Sequence, residues 1–116
     1  FEREVVVIVT PFVPKAHTPY QHEAMAPAEV LEARLARLRE GCRALRTPLR
    51  AEGVAESRAQ ALLARGDARL GEALLVLPST SPARLEQALR RSGLEPEEYL
   101  TARASNATLP WDFVTP

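Results

Sequence analysis

Cysteine and lysine are almost missing from this 116-residue chain, which holds one of each, Cys42 and Lys15. A single thiol cannot close an internal disulfide, so cysteine usage gives no hint of an oxidising compartment. Net charge is missing too. Fifteen basic residues balance fifteen acidic ones, leaving no net field to steer the chain onto nucleic acid or anionic lipid. The uncharged stretch from Val5 to Pro14 is far too short to span a bilayer. Glu2, Arg3 and Glu4 stand where a signal peptide would carry cationic residues, so the expected location is cytoplasmic, with no nucleic-acid or membrane partner. No Gly-rich phosphate loop, nucleophile elbow, paired-acid signature or internal repeat is present.

What is there reads as an ordinary globular balance, 46% apolar and 26% charged. Glu4 to Thr10 is a β-branched run without polar alternation. It reads as a strand buried on both faces, as in a parallel sheet or barrel. Such a strand needs neighbours on both edges, and the chain offers only Leu49–Val54 and a short piece near Thr108. Most of its sheet is therefore expected to lie outside this chain. Prolines at 11, 14, 19 and 27 make the next segment extended and irregular. Its length suggests a functional loop.

Helical patterning follows. Pro27 suits a first helical position, and Leu31, Leu35, Leu38, Cys42 and Leu45 make one apolar stripe up to about Arg46. That stripe should face a core, with Cys42 as a small buried residue. A second helix is expected over Ala55–Ala64, ended by Gly66 in a left-handed conformation. Asp67 then caps a third helix to about Leu77, stopped by Pro78. Ser81-Pro82 opens a fourth, closed at Gly93, and Glu95-Pro96 opens a short fifth. Trp111 and Phe113 read as packing anchors or as a partner-docking spot.

Three blocks carry a family resemblance. The run Val9-Thr10-Pro11-Phe12-Val13-Pro14-Lys15-Ala16-His17-Thr18-Pro19-Tyr20-Gln21, with Ala24-Met25-Ala26 after it, resembles the last barrel strand and loop of a radical S-adenosylmethionine (radical SAM) family of Fe–S oxidoreductases. Gln60 to Asp67, continued by Arg69-Leu70, is similar to that family's Arg-Gly-Asp block, and Leu109-Pro110-Trp111-Asp112 to its Leu-Pro-Trp-Asp block. The sequence departs from the pattern at His22 for tryptophan, Ala16 for proline and Ala68 for arginine, and it lacks an aromatic before Gln60.

The resemblance implies an α+β, mostly α, architecture. Residues 1–26 would be the last strand of a partial TIM-type barrel with its irregular Pro-rich loop. Residues 27–116 would be a small helical assembly extending it. The family's Cys-x-x-x-Cys-x-x-Cys loop would lie upstream, binding a 4Fe–4S cluster that reduces S-adenosylmethionine to a 5′-deoxyadenosyl radical. Cobalamin is a further candidate cofactor of the full-length protein. The chain alone would bind no cluster and catalyse nothing, and the missing N-terminal part of its own polypeptide would be its partner.

Lys15, His17, Thr18 and Gln21 would sit at the C-terminal end of a barrel strand, where such barrels build their sites, and are the candidates to face substrate or cofactor. Lys15 offers a mobile point charge for a carboxylate or phosphate. Alternatively the loop only caps the barrel. Arg65, Gly66, Asp67, Trp111 and Asp112 are candidates for structural roles, with Arg65 and Asp67 as an ion pair. His17 and His22 are too isolated to make a metal site. The sequence names no catalytic residue. The rival reading is a non-enzymatic helical module that binds a partner through its first strand or its Trp111 tail. Under either reading the first strand should promote self-association.

Overall fold

A computed structural model describes residues 4–75 and 81–114. Strand β1 (Val7–Val9) leads through the Pro-rich loop into helix α1 (Ala28–Ala44), which returns the chain to strand β2 (Leu49–Ala51). The two strands are parallel, with Ile8 opposite Arg50. Helices α2 (Val54–Arg65), α3 (Ala68–Leu74), α4 (Pro82–Arg91) and α5 (Pro96–Leu100) follow. The α+β, mostly helical class is as expected. The first strand, however, is followed by a second strand in the same sheet rather than ending it.

Local chemistry explains most boundaries. Pro27 serves as the cap residue of α1 rather than its first turn. At the other end Thr47 N–H bonds Cys42 C=O at 2.8 Å and Arg46 N–H bonds Arg43 C=O at 3.1 Å. This paired closure requires a left-handed residue, here Arg46 with φ 53°. Gly93, with φ 78°, closes α4 in the same way through Leu94 N–H to Leu89 C=O at 2.9 Å. Ser81 caps α4 through Arg84 N–H.

Gly66 is a correction. Its φ of −68° is not left-handed. A Cβ there would meet the Leu70 side chain at 3.0 Å and the Leu62 carbonyl at 3.2 Å, so a larger residue would need Leu70 and the end of α2 to give by a few tenths of an ångström. The third helix ends at Leu74, and the expected stop at Leu77-Pro78 lies outside the described residues. No strand forms near Thr108.

The core gathers Met25, Ala61, Leu62, Leu70, Ala73, Leu85, Leu89, Tyr99 and Leu100. Helix α2 is its centre and touches α1, α4 and α5. The first strand is not enclosed within this chain, as its two apolar faces and shortage of neighbours lead one to expect: Ile8 is 74% exposed and Val5, just before the strand, 65%. The α1 stripe is a correction: only Leu35 is buried, while Leu38 and Leu45 are exposed and Cys42 is half-buried. The radius of gyration, 17.0 Å, exceeds the roughly 13 Å of a compact chain of about this length. Among the described residues no helix is long and apolar enough to cross a membrane.

Candidate functional site

The Pro-rich loop is a chain of turns anchored from beneath. Pro14 is fully buried and Val13 packs on the core, Gln21 is half-buried, and Lys15 and His17 are exposed. Thr18 Oγ1 donates to the Lys15 carbonyl at 2.6 Å, which closes the first turn. His17 adopts a left-handed φ of 57° and donates its N–H to Gln21 Oε1 at 3.0 Å. The same oxygen accepts the Trp111 indole N–H at 2.7 Å, across 90 residues of sequence. Phe12 and Tyr20 meet edge to face at 6.1 Å, both largely exposed.

The end of the loop is stitched to the segment after α5. His22 C=O accepts from Arg103 N–H at 2.8 Å, and Met25 N–H donates to Leu100 C=O at 2.9 Å. The two segments therefore run side by side in opposite directions. The Arg65 guanidinium straddles them, donating to the Glu23 carbonyl and, at 3.0 Å, to the Thr101 carbonyl. Arg65 is fully buried, and among the described residues it has no carboxylate partner and its Nε finds no acceptor. Burial, and then the charge of Arg103, press its pKa below the usual guanidinium value. Arg103 in turn lies over the Trp111 ring, 5.3 Å from its centroid.

Arg65 and Asp67 thus do not pair. Asp67 accepts from the Arg69 and Leu70 N–H groups at the start of α3, from the Arg69 guanidinium at 2.8 Å, and from Tyr99 Oη at 3.0 Å. Burial alone would raise its pKa, but these donors outweigh burial and hold it below the ordinary carboxylate value. A depressed folded-state pKa stabilises above the unfolded pKa and is lost as pH falls through the folded one. Asp67→Ala is expected to lower stability at pH 7 by about 1–2 kcal/mol. Urea titrations should show the gap to wild type narrowing below about pH 4. A gap that stays constant down to pH 2 would show that the charge contributes nothing.

Asp112 closes the tail turn by accepting Leu109 N–H on Oδ2 at 2.7 Å. Trp111 is buried, as expected of an anchor, but Phe113 is 86% exposed. Arg58, which sequence reasoning missed, is buried and clamps Glu86 of α4 at 2.8 Å and Glu97 of α5 at 2.5 Å. Beside the loop, β1 and α1 leave an apolar groove of about 320 Å³ lined by Val9, Phe12, Leu31, Arg34, Leu35 and Leu38.

No family model, curated protein or solved structure matches the chain. The candidate residues sort by geometry. Gln21 Oε1 is engaged by His17 and Trp111, Thr18 Oγ1 donates to the Lys15 carbonyl, and the side chains of Lys15 and His17 are exposed. Arg65 was singled out only as part of a tripeptide; nothing in sequence spacing marks the two carbonyls it holds. With one cysteine in the chain, and no group of three His, Cys, Asp or Glu side chains able to hold a metal among the described residues, this donor set does not fit a 4Fe–4S cluster.

Proposed function

We propose that this chain is the C-terminal part of a radical SAM iron–sulfur enzyme, completing an α/β barrel and walling its substrate side. One observation carries most of the support. The three sequence blocks that resemble the family converge on one loop: Gln21 of the first meets Trp111 of the third, and Arg65 of the second holds the Glu23 carbonyl. Sequence order alone does not require such convergence.

The open sheet supports the same reading. Parallel strands joined by a helix normally have both faces covered and further strands beside them. Here Ile8 stands uncovered on a two-stranded parallel sheet, with exposed Val5 just before it. An upstream barrel would supply the missing neighbours. The cluster and S-adenosylmethionine would be bound by that upstream part, so no reaction step is assigned to residues of this chain. Lys15 and His17 would line the rim facing the substrate.

The experiment is expression of the whole reading frame with its cluster reconstituted, followed by assay for reductive cleavage of S-adenosylmethionine to 5′-deoxyadenosine. Cleavage is expected, and Lys15→Ala should keep the fold and lower turnover about tenfold, the size of one charge-assisted contact. An upstream sequence without a Cys-x-x-x-Cys-x-x-Cys loop, or no 5′-deoxyadenosine, overturns the enzymatic reading. Unchanged turnover in Lys15→Ala removes that lysine from the site. The exposed β1 edge favours a second reading, a strand-pairing module that binds another chain without catalysis. A whole protein inactive on S-adenosylmethionine yet assembling through β1 would select it.

A further inference from the structure

The tail and the loop meet at a single side-chain oxygen. Gln21 Oε1 accepts two donors, the His17 backbone N–H at 3.0 Å and the Trp111 indole N–H at 2.7 Å. A carbonyl oxygen has two lone pairs, so this junction uses its full accepting capacity. His17 needs such support, because a left-handed φ of 57° is unfavourable for a residue with a Cβ. The tail is itself fixed on both sides. Asp112 closes its turn onto Leu109 N–H, and Arg103 covers the indole ring while its own N–H holds the His22 carbonyl.

We infer that Trp111 is a positioning residue: its indole N–H orients the Gln21 carboxamide, which holds His17 left-handed and so sets where Lys15 and His17 project. The tail turn at 109–112 acts as a latch on the loop. Release of Trp111 frees the carboxamide to rotate, and the His17 N–H loses the side-chain acceptor that Gln21 provides. The inference holds whether or not the enzymatic reading does, because latch and loop both lie within this chain.

Trp111 is the one tryptophan in the chain, so its indole N–H gives a single unambiguous proton resonance. In Gln21→Ala that resonance is expected to move upfield and to exchange with solvent about fivefold faster, the effect of losing one net hydrogen bond. Gln21→Glu keeps an acceptor oxygen on a side chain of the same length and should hold the resonance near its wild-type position. The deciding variant is Trp111→Phe, which retains a buried ring and deletes the donor. Hydrogen exchange at the His17 amide should rise about fivefold, although His17 does not touch Trp111. Amides of Leu62 and Leu89 in the core should keep wild-type protection, which separates local release from general unfolding. If the His17 amide exchanges at the wild-type rate in folded Trp111→Phe, the latch is overturned. Should Trp111→Phe fail to fold, Gln21→Ala decides alone: an unmoved indole resonance overturns the inference equally.

Discussion

Replacing Arg65 with methionine should destabilise the chain by about 3 kcal/mol, and replacing it with alanine by more. Methionine keeps most of the buried stem but removes the donors that satisfy the Glu23 and Thr101 carbonyls. Each carbonyl left unpaired in this part-buried setting costs about 1 kcal/mol or somewhat more, and the lost packing of the guanidinium adds to it. Some of that loss is offset, because the variant no longer buries an uncompensated charge or an orphaned Nε. Arg65→Lys should recover only part of the stability. A single ammonium on a flexible stem cannot reproduce the planar fork that spans two strands of chain. Urea denaturation of the three variants tests this ordering. A methionine variant as stable as wild type would mean that water satisfies both carbonyls and that the guanidinium is not the fastener of this junction.

The second large effect separates the real core from the apparent one. Leu62→Ala and Leu89→Ala should each cost about 2–5 kcal/mol, since both side chains are fully buried among the central helices. Leu38→Asp, by contrast, should leave thermal unfolding almost unchanged. Sequence patterning places Leu38 inside a buried stripe, where a carboxylate would unfold the chain. In the structure it is 45% exposed at the edge of the groove between β1 and α1, where an added charge stays hydrated. Under the proposed function the same substitution should weaken association through that uncovered surface, read as a smaller assembly in sedimentation. Unfolding by Leu38→Asp would place the stripe in a core that these contacts do not contain.

The contrast between Leu38 and Leu62 shows how much could be read in advance. Periodicity tells that a helix has an apolar face. It does not tell which part of that face finds cover, because cover is supplied by residues far along the chain. Leu35 finds it and Leu45 does not, though both obey the same spacing. The strand at Val7–Val9 repeats the lesson. Its composition says that both faces ought to be buried, and among the described residues it has one neighbour, on one edge. The irregular course of the loop was legible from its prolines. The hydrogen bond from Trp111 to Gln21 was not, because the two residues lie 90 positions apart.

Sequence alone determined the local grammar. Asp67 and Ser81 cap their helices, Pro82 and Pro96 start theirs, and Gly93 ends α4, because each requirement is met within a few residues of backbone. Tertiary structure decided everything that depends on distant partners. It buried Arg65 between two carbonyls, joined Tyr99 to Asp67, tied Gln21 to Trp111, and left the first strand open on one side. A side chain's hydrogen bonds and burial depend on what the rest of the chain brings within a few ångströms, and spacing along the sequence does not encode that proximity.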